Sequence, residues 1–303
     1  MNTIGYLKKL KKRLESLLPD KVYLSYLYYR RLKRKMHWND PKSFSEKLQW
    51  IKVYDRKPEY TTMVDKYEAK NYVAAKIGAQ YIIPTFGVWE KVEDIDFDAL
   101  PNRFVLKCTH DSGGLVVCRD KQALDIDKAK QKIEACLKNN YYLNGREWPY
   151  KNVKARIIAE QYMEETNILS PYNQGSLTDY KFYCFNGEPK FLYISHGLEN
   201  HATASISFLT MDWQFADYER SDYAPFKELP PQPLKYEEMI SICKKLSAGI
   251  PFIRVDLYEI DGNVYFSELT FSPCNGMIPF RNPAHDFEIG KMLTLPDKAK
   301  KDA

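Results

Sequence analysis

Apolar residues recur every three or four positions through the first eighty residues, which is the spacing of one helix face. The pattern predicts four helices, over residues 4–18, 22–32, 43–54 and 64 or 65–77. Ser43 and Glu46 have the spacing of a capping box for the third helix. Gly78 is placed to end the fourth. The chain is therefore expected to begin with a helical region.

From residue 81 onward, short apolar strands alternate with helices. Strands are predicted at residues 82–84, 88–89, 104–107, 115–118, 156–160, 180–185 and 190–195, and helices at 127–139 and 236–246. Asn186 and Gly187 suit a hairpin turn between the last two of these strands.

Two apolar-alternating runs nearer the C-terminus flank Asp261-Gly262-Asn263 and predict a β-hairpin. A three-residue loop sets Asp256 opposite Glu268, with Arg254 opposite Thr270 on the same side. A two-residue loop would move Glu268 into the apolar face, where an unpaired charge is costly. The pattern therefore favours the three-residue loop. Facing carboxylates repel unless a cation lies between them, and Mg²⁺ shared with substrate phosphates is the usual solution.

With 303 residues, 44% hydrophobic and 28% charged, the chain has the composition of a soluble globular protein of one large or two ordinary domains. No apolar run reaches membrane-spanning length. The six cysteines lack CxxC spacing and no secretory signal precedes them, so a reduced cytosol is the expected compartment. Zinc binding and a thiol nucleophile have little support.

The net charge of +5 is unevenly distributed. Residues 1–36 hold eleven Lys or Arg against two acidic residues, a local charge of +9 that leaves −4 for the remainder. A basic amphipathic helix of this kind can lie on an anionic membrane surface. Its leucine stripe could equally pack on the body of the protein. The acidic remainder and the lack of a recognisable motif argue against nucleic acid as a partner.

Lys107 ends an apolar strand, and a glycine-rich loop from Thr109 to Gly114 follows directly. Glycines let backbone N–H groups approach an anion, and a neighbouring lysine adds a point charge, which suits triphosphate binding. The arrangement is neither a P-loop nor a dinucleotide fingerprint. A surface hairpin has the same pattern, and Lys66 could be a solvated helix residue. Glu160 to Met163 follows a strand and could border an adenine or simply leave the core.

These pieces occur in the order found in ATP-grasp ligases. The chain most resembles the TupA-like, teichuronopeptide-biosynthesis branch of that family, over about residues 20–290. Four segments carry the resemblance, Asn39 to Trp50, Val64 to Tyr67, Phe104 to Gly114 and Arg146 to Lys151. It implies an α+β ATP-grasp fold whose two subdomains enclose ATP. The implied boundaries are 1–58 for a helical region and 59–303 for the ATP-grasp domain, with a lid subdomain at about 80–158 and a catalytic subdomain at about 159–295.

The resemblance also implies roles for single residues. Phosphates would be contacted by Lys66 and Lys107 beneath a mobile loop that contains His110, Ser112, Gly113 and Gly114. Adenine would lie beside Glu160, Gln161, Tyr162 and Met163, and the ribose beside Asp179. The transferred phosphoryl group would be steadied by Lys181 or Arg254, and Mg²⁺ would be held by Asp256, Glu268 and Thr270. Because Thr270 stands where the family usually has Asn, the use of one metal or two stays open.

The implied activity is an ATP-dependent carboxylate–amine ligase that forms an amide through an acyl phosphate and needs no protein nucleophile. Its substrates would be an amino acid and a uronic acid of a cell-surface polysaccharide or its precursor. Alternatives are a sugar kinase on the same scaffold, a glycosyltransferase of the same pathway and a nucleotide-binding scaffold without catalysis. Candidate substrate contacts are Arg146, Trp148 and His196, each of which also suits an ordinary structural role. The expected location is the cytoplasm, with peripheral contact at the inner membrane face through residues 1–36 as one option.

Overall fold

The computed structural model describes residues 15–165, 177–196 and 204–297. Most of the predicted leucine-rich first helix lies outside these residues. The helices are α1 (Asp20–Leu32), α2 (Phe44–Tyr54), α3 (Glu59–Val64), α4 (Glu68–Ile77), α5 (Ile126–Leu137), α6 (Tyr142–Gly145), α7 (Tyr236–Ser247) and α8 (Ala284–Met292). The strands are β1 (Thr85–Trp89), β2 (Phe104–Cys108), β3 (Leu115–Cys118), β4 (Ile157–Gln161), β5 (Asp179–Phe185), β6 (Glu188–His196), β7 (Ser205–Thr210), β8 (Phe252–Ile260) and β9 (Asn263–Thr270).

Two antiparallel sheets carry the fold, and the α+β class is as predicted. The first sheet has the strand order β1-β4-β2-β3, and the second has the order β7-β6-β5-β8-β9. Asn186 and Gly187 form the predicted turn between β5 and β6, with φ of 51° and 87°. The predicted fourth helix starts later than expected. The Asp65 carboxylate accepts the N–H groups of Tyr67 and Glu68, and α4 begins only at Glu68.

Both faces of the five-stranded sheet are covered by helices. Phe182 and Val255 pack with α3, α4 and α7 on one face. Tyr183 packs with residues of α2 and α8 on the other. The capping box of α2 is present, since Ser43 Oγ accepts the Glu46 N–H at 3.2 Å and Glu46 Oε2 accepts the Ser43 N–H at 3.0 Å. Helix α2 thus forms one layer of the same core as the sheet.

The β8–β9 hairpin has a different turn from the one predicted but the same pairing at its far end. Asp261 and Gly262, with φ of 49° and 74°, form a two-residue turn, so the predicted three-residue loop is wrong. A β-bulge then leaves Ser267 unpaired, after which Glu268 faces Asp256. The extra residue keeps the Glu268 carboxylate off the apolar face, where the two-residue register alone would place it.

The four-stranded sheet is covered on one face only. Phe104 and Leu106 of β2 are fully buried in the core that includes α5. Val105 and Lys107 alternate with them and line the cleft between the two sheets. The open face of this sheet therefore supplies one wall of a site, and the five-stranded sheet supplies the other.

Candidate functional site

The cleft holds two adjoining cavities of about 370 and 910 Å³. They are parts of one cleft, because both are lined by Ile83, Lys107, Leu115, Glu160, Asp179 and Tyr258. The smaller cavity is bordered by charged side chains from both sheets and from the α3–α4 connection. The larger one follows the open face of β2 and β3 to Gln161, Tyr162 and Met163.

Along β5, the side chains on one face change from aromatic to charged. Phe185 and Tyr183 are buried in the core beneath α2, whereas Lys181 and Asp179, the next two on that face, line the smaller cavity. Lys181 Nζ lies 3.0 Å from Asp256 Oδ2 and 3.1 Å from Asp179 Oδ1. Burial would lower the pKa of Lys181, but these two carboxylates raise it well above its ordinary value. Lys181 is therefore a permanent cation in the site.

Glu160 organises the opposite wall. Its Oε1 lies 2.7 Å from Lys70 Nζ and its Oε2 lies 2.6 Å from Lys107 Nζ. Burial would raise the pKa of Glu160, but Lys107 and Lys70 lower it, so the carboxylate is ionised. Lys107, which the sequence places beside phosphate, is thus held in position by an ion pair while its side chain stays partly exposed to the cavity.

Hydrogen bonds hold the glycine-rich loop to Lys66 on one side and to Cys136 and Asn139 on the other. Lys66 Nζ donates to the Asp111 carbonyl at 2.5 Å. The Asp111 carboxylate accepts from the Ser112 N–H at 2.6 Å, from Asn139 Nδ2 at 2.9 Å and from Cys136 Sγ at 3.1 Å. Burial would raise the pKa of Asp111, but the bonds from Asn139 and Cys136 lower it. Asp111 and Ser112 of the loop therefore line the smaller cavity together with Lys66.

Gly113, Gly114 and His110 of this loop differ in how closely they are packed and in whether they line the cavity. A Cβ on Gly113 would meet nothing within 4 Å, whereas one on Gly114 would lie 2.2 Å from Cys136 Sγ. Gly114 lines the cavity, but close packing also requires it to be glycine. His110 is buried with Nε2 3.2 Å from the Asn139 carbonyl. The structure does not place His110 among the residues that line the cavity.

Arg254 binds all three residues predicted to hold a metal. Its Nε lies 2.7 Å from Asp256 Oδ1, and its Nη2 lies 2.6 Å from Asp256 Oδ2, 3.0 Å from Glu268 Oε1 and 3.0 Å from Thr270 Oγ1. Burial would raise the pKa of Glu268, but Arg254 and Lys181 lower it to about 2. Burial raises the pKa of Asp256 against the same two cations. Glu268 lines the smaller cavity, and Asp256 lies behind it without any exposed surface.

The predicted metal ligands fit Mg²⁺ only in part. Within the described ranges, no group of three or more His, Cys, Asp or Glu side chains is arranged to hold a metal. Mg²⁺ is commonly bound by one or two carboxylates together with substrate phosphates. Glu268 fits that role, because it lines the cavity and its bonds from Arg254 and Thr270 go to a single oxygen. Asp256 and Thr270 do not fit as placed, since Arg254 binds the same oxygens.

The substrate candidates lie apart from this cavity. Arg146 Nη2 donates to the carbonyls of Glu15, Ser16 and Leu18, and its guanidinium lies over the ring of Tyr23. It therefore anchors the start of α1. Trp148 is partly buried against the large core, and His196 ends β6 opposite Ser205. Neither Trp148 nor His196 is among the residues that line the cleft.

Several charged residues of the site were not predicted. Lys70 and Asp111 line the smaller cavity. The four-residue spacing from Lys66 to Lys70 was the available signal, because the predicted helix would have placed both on one face. In the structure, Lys66 precedes α4 and only Lys70 lies in it. Glu147 is buried, and burial raises its pKa to about 7 while Lys52 opposes the shift and Glu268 adds to it. It lies within the predicted segment 146–151, between the two residues chosen as substrate contacts.

One family model and several solved structures match the chain. The family model described as TupA-like ATPgrasp matches residues 46–294. Among curated proteins, none matches the chain significantly.

Solved structures that match part of the chain include two D-alanine–D-alanine ligases. The enzyme from Bacillus anthracis, solved with ATP, has 13% identity and a TM-score of 0.38 over 75% of this chain and 55% of its own. The enzyme from Helicobacter pylori has 14% identity and a TM-score of 0.42 over 77% and 61%. A RimK domain ATP-grasp protein from Sphaerobacter thermophilus has 11% identity and a TM-score of 0.42 over 79% and 70%. The chain thus spans little more than half the length of the two ligases.

Proposed function

The chain belongs to the TupA-like ATP-grasp family, and on that premise we propose that it is an ATP-dependent carboxylate–amine ligase. One observation carries the proposal. Four lysines and four carboxylates from separate parts of the chain line the same cavity of about 370 Å³, namely Lys66, Lys70, Lys107, Lys181, Asp111, Glu160, Asp179 and Glu268. The lysines can contact the phosphates of a triphosphate, while a carboxylate that faces the cavity, such as Glu268, keeps a place for a divalent cation.

The nucleotide would lie along the cleft with its base in the larger cavity. Leu115 and Val117 of β3 are 43% and 38% exposed and belong to the lining of that cavity. Exposed apolar side chains on a cleft wall suit the face of an adenine ring, and the backbone of Gln161 to Met163 could hydrogen-bond its edge. Asp179 lies between the two cavities, where it could accept a hydrogen bond from the ribose.

In the proposed reaction, an oxygen of the substrate carboxylate attacks the γ-phosphorus and ADP leaves. An amine nitrogen then attacks the acyl carbon of the resulting acyl phosphate, phosphate leaves and an amide remains. Bound Mg²⁺ would offset negative charge on the phosphates. The Lys107 ammonium would contact the phosphates while it stays close to Glu160, and Lys66 would hold the glycine-rich loop over them. Lys181, fixed between Asp179 and Asp256, would support charge on the transferred group.

For the substrates, we propose an amino acid and a uronic acid of a cell-surface polysaccharide or its precursor, in keeping with the TupA-like family. Peripheral contact with an anionic membrane through residues 1–36 is proposed as well. It is supported by exposed apolar residues just before α1 and along it, Leu17, Leu18, Val22, Tyr26 and Tyr29. In the described ranges, no helix has both the length and the apolar character needed to cross a bilayer. Flotation with phosphatidylserine vesicles in low and high salt tests the contact, and recovery in the pellet at low salt would refute it.

Phosphate release from ATP tests the ligase proposal. Glucuronic and galacturonic acids are crossed with the twenty amino acids, with Lys107→Met and Asp256→Asn as controls. Release that needs both an acid and an amine, and that the controls lose, supports the proposal. ADP together with a stable phosphorylated sugar, formed without any amine, refutes it in favour of a kinase. Bound ATP without turnover for any pair would instead favour the scaffold.

A further inference from the structure

The place that the sequence assigns to a metal ion is filled by part of the protein. One nitrogen, Arg254 Nη2, lies 2.6 Å from Asp256 Oδ2, 3.0 Å from Glu268 Oε1 and 3.0 Å from Thr270 Oγ1. These residues are the three predicted metal ligands. A metal ion would have to compete for these oxygens, because Asp256 Oδ2 already accepts from both Arg254 Nη2 and Lys181 Nζ and has no further lone pair to offer.

The surroundings hold Arg254 firmly in this position. Its Nε makes a second bond to Asp256, at 2.7 Å from Oδ1, so the pair is bidentate. On the far side of the guanidinium, Nη1 lies 3.4 Å from the hydroxyl of Tyr193. Arg254 is 7% exposed and Asp256 is fully buried. A hydrated ion would therefore have to remove a buried, multiply bonded cation to reach Asp256.

Local charge does not call for another ion at this place. Asp256 and Asp179 already share Lys181, and Asp256 and Glu268 already share Arg254. The three carboxylates thus meet two permanent cations. Only Glu268 lines the cavity where a phosphate could bring a divalent ion.

We propose that Arg254 is the resident cation of the Asp256–Glu268–Thr270 cluster and that the protein binds its nucleotide with one divalent cation, on Glu268, instead of two. The inference rests on the nucleotide site of the proposed function. It concerns the number of ions and does not depend on which acid or amine reacts. Arg254 is then a positioning residue for Glu268, whose Oε1 it holds so that the remaining oxygen can face the bound ion.

Counting bound Mn²⁺ tests the inference without any need for turnover. The full chain is saturated with the β,γ-imido analogue of ATP, and free Mn²⁺ is measured by electron paramagnetic resonance. One Mn²⁺ per bound analogue is expected for the wild type. Arg254→Met should bind a second Mn²⁺, because Asp256, Glu268 and Thr270 all lose their bonds to Arg254 and only Lys181 still contacts Asp256. Thr270→Asn keeps Arg254 and supplies a better metal ligand, and it should still bind one.

Two outcomes would overturn the inference. One is a wild-type chain that binds two Mn²⁺ per analogue, a result that stands even if Arg254→Met fails to fold. The other is a second Mn²⁺ in Thr270→Asn, which would mean that the residue at position 270 sets the number of ions. Either result would leave the ligase proposal intact, since the phosphate-release assay tests that proposal separately.

Discussion

Replacing Gly114 by alanine should destabilise the protein through steric contact, whereas the same change at Gly113 should not. A Cβ at position 114 would lie 2.2 Å from Cys136 Sγ and 2.8 Å from Cys108 Sγ, and one at position 113 would meet nothing within 4 Å. Neither glycine has a positive φ, so backbone strain does not separate the two variants. The pair isolates packing from loop flexibility.

The magnitude follows from overpacking a buried site. Cys108 and Cys136 are both buried, and Cys136 Sγ also donates to Asp111. Moving these sulfurs apart should cost about 1–3 kcal/mol of unfolding free energy, or roughly 2–5 °C in Tm. Gly113→Ala should change stability by less than about 1 kcal/mol, with a gain if the unfolded chain loses freedom. Displacement of Cys136 would also loosen Asp111 and hence Lys66, so Gly114→Ala should bind ATP more weakly.

Urea unfolding followed by circular dichroism measures both variants. Cys136→Ala combined with Gly114→Ala should recover part of the loss, because one of the crowded sulfurs is gone. Equal destabilisation by the two glycine variants, or none by Gly114→Ala, would refute the steric explanation. Reduced turnover of Gly113→Ala with unchanged stability would show that this glycine serves loop motion.

Three further predictions concern charged residues. Lys70→Met should lower the unfolding free energy by up to about 3 kcal/mol because Glu160 keeps only Lys107, and adding Glu160→Gln should restore part of it in the same urea assay; an unchanged stability would contradict this. Glu268→Gln should lower the unfolding free energy by about 1 kcal/mol at pH 6. The lowered pKa of Glu268 alone would give a larger value, but 38% of the side chain is exposed and solvent screens its charge. The pKa of Glu268 falls from 4.5 to about 2, so the wild type should lose this advantage as the pH drops from 4.5 to 2, and a difference that stays constant with pH would argue against it. Arg146→Met should lower the unfolding free energy by about 2 kcal/mol by freeing three carbonyls, while KM for the acid substrate stays unchanged. A raised KM for the acid together with normal stability would restore Arg146 as a substrate contact.

Local patterns were sufficient to predict many of the elements. The capping box of α2 and the Asn186-Gly187 turn depend on neighbours within a few residues, and both are present. Strand β7 was not predicted, although Ser205 to Phe208 alternate between polar and apolar residues as in a strand, and Ile206 to Leu209 are all buried. Helix α8 is also missing from the prediction, since it buries Asp286, which accepts the Ser45 N–H from α2. No local sequence pattern indicates that Asp286 has this distant partner.

The site shows the same division. The facing of Asp256 and Glu268 was predicted, although from a wrong turn, because the requirement to keep a charge off the apolar face holds whether a longer loop or a bulge meets it. Lys70 required knowledge of the tertiary partner Glu160. Arg146 was chosen for its aromatic neighbours in the sequence, but in the structure its donors go to carbonyls more than 120 residues away.

The contact between α2 and α8 has a consequence for synthesis on the ribosome. Lys47 of α2 donates to the carbonyls of Gly290 and Leu293, and Phe44 and Leu48 share a core with Ile289. These partners lie 243 residues apart for Lys47 and Gly290. At a synthesis rate of about 5–20 residues per second, α8 is made roughly 12–50 seconds after α2. During that interval the part of the α2 face that contacts α8 has no final partner, although Tyr183 and Phe185 of the same core are already made, and a chaperone that shields exposed helices has time to bind there.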